Sequence, residues 1–475
     1  MPKALKFFLF AVAGLLGMLM LAALAILFFV DVNSYKPRLE TRLSEASAMS
    51  VAIEGNIGIK FIPQPSVTLE NVRIANRGIP LAFVKKAHVV IQVLPLLQRE
   101  IRYGDISTDG VRLSIARDAE GRYNYQRAPS VSQKSHPLDL PKISFADLVV
   151  SYTDKQSADS FESDSCSGDL TGLRHPGGAP LLKRLTLASG QFSCGEVGGK
   201  KTAITDLKFS MVATDGVFDF KPVTMHAFGG IGSATMRVDR SAEVPAYQVS
   251  FALSKFRIEE FFKMQSSGKS ASGLADFSTT LSTMGHTRRE MRQSTNGEMS
   301  LAGSNLTLRG LDLDAQLVKF ESSQNLNLID VSALLFAGPV GLAVAKGYDF
   351  SHLAEKNGGN TPIRTVVSTW KINKGVAYAN DVALATNENR LAVHGGLDFV
   401  DNEYRDVTVG LLDSSGCAKA TQKISGPFKK PVTDKSAILI PIGPLLKLLD
   451  KAKGLFSGSM GKCDVFYSGS VASPK

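Results

Sequence analysis

The stretch NIGIKFIPQPSVTLENVRIANRG, residues 56–78, alternates apolar and polar residues on both sides of two closely spaced prolines. Proline removes a backbone hydrogen-bond donor and fixes φ, so it is tolerated at the entry of an edge strand but interrupts a helix. Pro63 and Pro65 therefore predict the start of an edge strand at this point of the chain.

The alternation that follows the prolines changes phase. Val67 and Leu69 are odd-numbered, whereas Val72 and Ile74 are even-numbered. Because side chains alternate between the faces of a strand, an unbroken strand would place these two pairs on opposite faces. One extra residue in a β-bulge restores a common face, and we predict such a bulge near Glu70–Asn71.

Period-two alternation recurs from this stretch to the C-terminus, with Gly, Asn and Asp turn signals between the runs. Examples of its apolar members are Val111, Leu113 and Ile115; Tyr247, Val249, Phe251 and Leu253; and Val407, Val409 and Leu411. The pattern predicts a mostly β, antiparallel fold with one apolar and one polar face. Together with the features described below, the expected fold class is an N-terminal transmembrane helix followed by an elongated, antiparallel, twisted β-sheet or groove with a few short helices.

The N-terminal segment Phe7–Val30 has 24 residues without a charge. At about 1.5 Å per helical residue it is long enough to cross a ~30 Å hydrocarbon core. The alternative is a cleavable signal peptide with Lys3 and Lys6 as its basic start, but five apolar residues continue beyond the small-x-small sequence Ala23–Ala25. We favour an uncleaved anchor. Basic residues flank it evenly and leave its orientation open.

All four cysteines, Cys166, Cys194, Cys417 and Cys463, follow the apolar segment. An even number suits two disulfides in an oxidising compartment, which favours a position outside the cytosol for the bulk of the chain. Three pairings are possible, and free buried thiols are the alternative. The spacings fit neither a CxxC motif nor a zinc site.

Helical periodicity is confined to short segments, and two polar stretches resemble linkers. The candidate helices are Ile258–Gln265, Arg288–Ser294, Asp312–Glu321 and the amphipathic Gly443–Phe456, which packs on the protein or, alternatively, touches the membrane. The linkers Ala128–Pro141 and Ser266–Ser272 divide the chain into an anchor (1–30), an N-terminal β region (31–128), a middle β region (142–265) and a C-terminal β domain (273–475).

The composition and motifs exclude several classes of function. The net charge is +10, but the basic residues occur as scattered doublets without interleaved aromatic residues, which argues against nucleic-acid binding. The seven histidines show no metal-binding spacing, and neither a nucleophile elbow nor a Walker loop is present. We therefore expect no catalytic residues, no metal and no cofactor. An envelope hydrolase with a site built from distant residues is the enzymatic alternative.

Strands with one apolar face beside a membrane suit two arrangements. Two such faces can cover each other in a sandwich, or one long twisted sheet can leave its apolar face as an open trough. A trough would suit acyl chains, which need continuous apolar contact without specific hydrogen bonds. Alternation alone does not choose between the two arrangements.

Several motifs in a fixed order resemble the AsmA family of bacterial envelope proteins. They are DVNSYKPRLE (31–40), PQPSVTLENVRIAN (63–76), EGRYNY (120–125), GEMSLAGSNLTLRGLDLDAQL (297–317), INKGVAYANDVALAT (372–386) and GCAKATQKISGPFKKP (416–431). The family often has Asn-Trp where this chain has Asn124–Tyr125, and this chain is shorter than the larger relatives.

The resemblance implies an anchor in the inner membrane, a periplasmic β-groove, and a role in phospholipid movement and outer-membrane assembly. The expected partners are phospholipid, the inner membrane, and an outer-membrane or periplasmic protein, without nucleic acid. The alternative is a periplasmic scaffold that assists outer-membrane protein assembly through its strand edges, without carrying lipid. The residues expected to line a lipid groove are Val67, Leu69, Val249, Phe251 and Leu253.

Overall fold

A computed structural model of the chain describes Met18 and residues 31–93, 95, 102–126, 137–178, 180–199, 202–265, 271–310, 312–315, 317, 359–434, 437–438 and 463–474. The predicted anchor Phe7–Val30 lies outside these residues, apart from Met18. Within the described part of the chain, no helix is both long enough and apolar enough to cross a bilayer.

The chain divides into two compact units: unit 1 is Met1–Lys200 with Thr205–Gly216, and unit 2 is Lys201–Ile204 with Val217–Lys475. Elements up to β10 lie in unit 1, except for the first residues of β10. In chain order the elements are a 3-10 turn (Val32–Tyr35), α1 (Lys36–Ser47), β1 (Ser50–Ile53), β2 (Ile57–Lys60), β3 (Ser66–Asn76), β4 (Ile79–Ile91), β5 (Tyr103–Arg117), β6 (Leu138–Asp154), β7 (Ser160–Asp164), β8 (Cys166–His175), a 3-10 turn (Leu181–Lys183), β9 (Leu187–Gly199), β10 (Thr202–Thr214), β11 (Val217–Ala227), β12 (Gly230–Asp239), β13 (Ala246–Arg257), α2 (Ile258–Gln265), β14 (Ala271–Ser272), β15 (Leu274–Met284), α3 (Arg288–Ser294), β16 (Asn296–Arg309), β17 (Asn360–Asn373), β18 (Val376–Ala385), β19 (Arg390–Asp398), β20 (Glu403–Leu412), β21 (Ala418–Pro427), β22 (Val432–Thr433) and β23 (Ala437–Ile438).

The first strands of unit 1 have their free edge capped by side chains of the preceding helical segment. Backbone N–H groups of β1 and β2 donate to these side chains instead of to another strand. The bonds run from Ile57 N to Asn33 Oδ1 (3.0 Å), from Ile53 N to Glu40 Oε1 (2.6 Å) and from Val51 N to Ser44 Oγ (3.0 Å). The sequence 31–44 therefore closes an edge that would otherwise expose unpaired donors.

The sheet of unit 1 is largely antiparallel, as predicted. β1 and β2 both pair with β3, and β3, β4 and β5 follow one another in antiparallel order. The prediction was wrong for one pair, because β5 and β6 run parallel. Parallel neighbours need a long crossover, and the segment between Arg117 and Leu138 supplies it. From β6 the sheet continues through β7, β8 and β9 to β10.

The predicted bulge near Glu70–Asn71 is wrong, because the β3–β4 pairing runs from Glu70–Lys86 to Val72–Val84 without an extra residue and shifts instead between Ile74 and Ala75. A residue with positive φ changes the phase in its place, and neighbouring strands have counterparts. Asn71 has φ +52°, and at the same level of the neighbouring strands Gly110 of β5 has φ +64° and Asp147 of β6 has φ +50°. In β4 the corresponding residue is Lys85, which lies between the pairs Glu70–Lys86 and Val72–Val84 in the β3–β4 register. We call this level the crease. It shifts the apolar phase of each strand, so Val67, Leu69, Val72 and Ile74 contact one apolar cluster, as predicted.

Both predicted linkers contain strand residues. Leu138–Pro141 begins β6, and Ala271–Ser272 forms β14, which pairs with β16. Pro137 precedes β6, and the remaining residues of these stretches lie outside the described chain. The proposed domain boundaries stay a prediction.

Unit 2 forms an antiparallel series from β11 to β13, then β15 to β21. The predicted helices Ile258–Gln265 and Arg288–Ser294 are confirmed as α2 and α3. The hydroxyl of Thr287 accepts a hydrogen bond from the N–H of Glu290 at 3.2 Å and caps α3. Of Asp312–Glu321, residues 313–315 and 317 are helical, and Gly443–Phe456 lies outside the described residues.

Both disulfides join neighbouring cysteines in the sequence, Cys166 with Cys194 and Cys417 with Cys463. This resolves the three possible pairings. The second disulfide connects residues 463–474, which we call the C-terminal strap, to the turn before β21. Among the described residues no cysteine is free.

Candidate functional site: a half-exposed apolar face

One face of β12, β13 and β15 in unit 2 is apolar and only partly covered. The register aligns Met236, Val249 and Leu281 in one row across these strands. Met236 is 38% exposed, and Val249 and Leu281 are half-buried. Since apolar side chains in a closed core are normally buried almost completely, this face is accessible to an apolar ligand.

The predicted groove residues of β13 share that face. Val249 and Phe251 are half-buried and Leu253 is 5% exposed, whereas Ser250 and Ser254 on the opposite face are exposed. The strand phase inferred from alternation is therefore the phase in the structure. Phe251 lies 6.1 Å from Phe277 between ring centroids. Contact of these residues with lipid stays a prediction.

The two ends of the β13 face differ in chemistry. Beyond Leu253, an aromatic cluster of Phe228, Phe256 and Phe261 closes the face, with ring centroids 5.8 to 6.4 Å apart. At the other end, Arg240 Nη1 donates to the hydroxyl of Tyr247 at 3.2 Å. The face therefore runs from an apolar end to a cationic end, as an amphipathic ligand requires.

Unit 1 carries a comparable face on β3 to β6. The register places Val84 of β4, Val111 of β5 and Leu148 of β6 in one row, and all three are half-buried. Val67 and Leu69 lie on this face of β3. There they contact the cluster that Leu39 and Leu43 of α1 also join, so the helix covers the start of the face. Their role in lining a lipid groove stays a prediction.

Sequence reasoning missed an aromatic ladder in unit 1. Phe145 of β6 lies 5.8 Å from Phe192 of β9, and Phe192 lies 4.8 Å from Phe209 of β10. Gly168 of β8 stands between the first two, where an added Cβ would come within 2.6 Å of the Phe145 ring. Leu207, Phe209 and Met211 alternate with polar residues, which indicated that Phe209 lies on an apolar face. The ladder itself depends on which strands are neighbours in the sheet, and alternation does not show this.

The EGRYNY motif is structural through Asn124, which is 7% exposed. Its Oδ1 accepts from Ala116 N at 3.0 Å, and its Nδ2 donates to Ser114 O at 2.7 Å and to Pro80 O at 3.2 Å. Its backbone carbonyl accepts from Asn76 Nδ2 at 2.7 Å. The motif residues Asn76 and Asn124 therefore fasten the loop after β5 to the end of the β3–β4 hairpin.

A charged cluster lies at the end of β5 and β6, beyond the apolar face that these strands share. Arg117 Nη1 pairs with Asp154 Oδ2 at 3.2 Å, and the Tyr152 hydroxyl donates to the same oxygen at 3.2 Å. Burial and the hydrogen bond to Asp154 raise the pKa of Tyr152 to about 12. Burial opposes ionisation of Asp154, but hydrogen bonds from Gln156 N and Arg117 outweigh it and hold the pKa of this carboxyl below its ordinary value. The cluster is a compensated ion pair.

The C-terminal strap docks on β18 through a second polar cluster. The hydroxyl of Tyr467 donates to Asp381 Oδ1 at 2.5 Å, and the Ser470 hydroxyl donates to Asp381 Oδ2 at 2.6 Å. Arg390 Nη1 donates to the carbonyl of Val471 at 3.1 Å. Burial, followed by the hydrogen bond to Asp381, raises the pKa of Tyr467 to about 12.

The described residues contain one acidic group with metal-like spacing, formed by Asp398, Asp401 and Glu403. Asp398 is buried, accepts from Val400 N at 2.8 Å and from Asp401 N at 3.1 Å, and forms an ion pair with Arg405. Asp398 therefore stabilises the turn after β19 and pairs with the Arg405 guanidinium. These contacts account for the acidic group without a metal ion.

Comparison with known proteins gives one family match. A model of the AsmA family matches residues 1–165 and 186–382. No curated protein and no solved structure matches the sequence.

Proposed function

This chain belongs to the AsmA family, and we propose that it binds lipid and transfers it in the bacterial envelope. In this proposal the chain is anchored in the inner membrane and contributes to phospholipid transport and to outer-membrane assembly or integrity. It acts without catalysis and without a cofactor.

The observation that carries the proposal is the half-exposed apolar face of β12, β13 and β15. Water contact with this face has a free-energy cost of about 25 cal/mol per Å² of apolar surface, which an acyl chain removes when it lies on the strands. The outer face of β13 is polar, with Ser250 and Ser254 exposed, so only one side of the strand attracts a tail.

The placement in the envelope rests on separate observations. The apolar segment Phe7–Val30 suits a single inner-membrane anchor, and the two disulfides suit the oxidising periplasm for the rest of the chain. Asp31 follows the segment directly in the sequence and β1 begins at Ser50, so in this proposal the first strands lie close to the membrane.

The scaffold hypothesis, in which a partner adds a strand to the sheet edge, is less well supported at the N-terminal edge. The N–H groups of Val51, Ile53 and Ile57 are already bonded to side chains of the segment 31–44. A partner strand would have to displace all three bonds before it could pair.

The test is photo-crosslinking with a photoreactive residue at Phe251 and, as a matched control, at Ser250 on the opposite face of the same strand. The full-length protein is irradiated in cells, purified in detergent and analysed by lipid mass spectrometry. We expect glycerophospholipid adducts at position 251 and none at position 250.

Two other results would oppose the proposal. Intramolecular crosslinks alone at position 251 would indicate that the face is covered by the protein itself. Equal lipid capture at both positions would indicate nonspecific contact with detergent-extracted lipid.

A further inference from the structure

Arg240 occupies the cationic end of the β13 face. It follows Met236 and Val238 at even-numbered positions, which lie on the apolar face of β12, and it is half-buried. Its Nη1 donates to the hydroxyl of Tyr247, the first residue of the Tyr247–Leu253 apolar run. The guanidinium is therefore held beside the apolar face by a neutral partner.

The charge of Arg240 is not compensated within the described part of the chain, where no carboxylate lies within 4.0 Å of it. The contrast is Arg237 of β12, three residues earlier, which lies on the outer face and donates to both carboxylate oxygens of Asp219 at 3.1 and 2.9 Å. A half-buried arginine without a counterion favours binding of an anion, and the planar fork of its guanidinium suits phosphate oxygens.

The distance between the ends of the face limits the size of the ligand. Tyr247 and Leu253 are separated by six residues along β13, or about 20 Å at ~3.3 Å per residue. Half of a ~30 Å hydrocarbon core is about 15 Å, so one acyl chain covers about three quarters of this run. An acyl chain that starts beside Tyr247 would lie over Val249 and Phe251 and end before the Phe228, Phe256 and Phe261 cluster, while its headgroup stayed near Arg240.

We propose that Arg240, positioned by Tyr247, binds the phosphate of a glycerophospholipid whose acyl chain lies along β13. This proposal rests on the proposed function, and it adds the group of the lipid that is recognised and the residue that recognises it. Lipids without a phosphate bind the same face without engaging Arg240.

The test compares two lipids on the detergent-purified full-length protein by native mass spectrometry. Dioleoylphosphatidylglycerol carries the phosphate, and dioleoylglycerol has the same tails without it. The variants are Arg240→Gln and the matched control Arg237→Gln, which removes an arginine three residues earlier, from the outer face of β12.

We expect Arg240→Gln to weaken phosphatidylglycerol binding about fivefold to tenfold, as for one partly hydrated charge-assisted hydrogen bond. Its affinity for dioleoylglycerol and both affinities of Arg237→Gln should match the unmodified protein. Tyr247→Phe, which keeps the ring and removes the hydroxyl, should give a smaller loss, about twofold to threefold, for phosphatidylglycerol only.

The outcomes separate this inference from the proposed function. If the unmodified protein binds both lipids and Arg240→Gln behaves like Arg237→Gln, headgroup recognition by Arg240 is wrong and lipid binding stands. If the unmodified protein binds neither lipid, both proposals are wrong. Circular dichroism of each variant identifies a loss caused by misfolding, and a folded Tyr247→Phe variant then provides the decisive comparison.

Discussion

One row of side chains in unit 2 begins on a half-exposed surface and ends in a closed core. The register aligns Phe251 of β13, Met299 of β16 and Trp370 of β17 on the same face. Phe251 and Met299 are half-buried, whereas Trp370 is 0% exposed and its indole N–H donates to Ser368 Oγ at 2.8 Å. We call β12, β13 and β15 the open region and β17 to β21 the closed region.

The difference arises from what packs on each region, because both have the same alternation. In the closed region one apolar face is buried together with Leu313 and Leu317, and small residues on the other face contact the C-terminal strap. In the open region the outer face is polar. Identical period-two patterns therefore produce either a core or a binding surface, depending on segments distant in sequence.

The largest expected effect is a truncation in the closed region. Trp370→Ala should lower the free energy of unfolding by about 3–5 kcal/mol, because it empties a fully enclosed site. Phe251→Ala in the open region should cost about 1–2 kcal/mol, since part of its side chain is already exposed to water. Urea unfolding followed by circular dichroism measures both. Equal losses would mean that the two regions are equally closed.

The next effect concerns the strap that covers the closed region. Replacing Cys417 and Cys463 by serine should cost about 2–4 kcal/mol, because the cross-link constrains a long loop in the unfolded chain. It should also raise amide hydrogen exchange in β18 and β19, measured by mass spectrometry. The double variant Cys166→Ser with Cys194→Ser is the control. If it raised exchange in β18 and β19 equally, the strap would not be the cause.

An isosteric substitution sharpens the comparison further. Val409→Thr places a hydroxyl at a position that is 0% exposed and should cost about 1–3 kcal/mol. Val249→Thr in the open region leaves the hydroxyl accessible to water and should change stability by about 0.5 kcal/mol or less. Thermal unfolding of both variants measures the difference. A large loss for Val249→Thr would contradict an accessible face.

The smallest effect is a pH dependence of the strap. The pKa of Tyr467 is raised to about 12, so its neutral form is favoured in the folded state. The stabilisation is fully present below pH 10, the ordinary pKa, and is lost as pH rises through 12. The difference in urea midpoint between the unmodified protein and Tyr467→Phe should therefore shrink between pH 10 and 12. A constant difference would show that the hydroxyl does not stabilise the strap.

Local features of this chain could be predicted from its sequence. The phase change at Glu70–Asn71 predicted that Val67, Leu69, Val72 and Ile74 share a face, because alternation reports directly which face a side chain occupies. It did not predict that the crease, and not a bulge, produces the change. The bounds of α2 and α3 followed from short helical patterns. The placement of Val249 and Phe251 on one face followed from the same alternation.

Features that depend on distant segments could not be predicted. Nothing in β5 or β6 alone indicates that they pair in parallel. The positions of four cysteines in the sequence do not determine which cysteines form disulfides with each other. Val67 and Leu69 appeared equivalent to Val249 and Phe251, although α1 packs beside the first two. Arg240 had no signal, since its lack of a carboxylate partner is a property of the folded hairpin.

The capped edge and the crease also bear on how this architecture changes length during evolution. A strand added before β1 would meet N–H groups that are already hydrogen-bonded to side chains of α1 and its preceding turn. We therefore expect no additional strand at this edge. A hairpin inserted later in the sheet could form backbone hydrogen bonds with a neighbouring strand on each side. Within β3 to β6, three strands carry Asn71, Gly110 and Asp147 with positive φ at this level, and β4 carries Lys85. Sequence drift at that level of β3, β5 and β6 is therefore confined to residue types that tolerate a positive φ, even where the surrounding strand tolerates many.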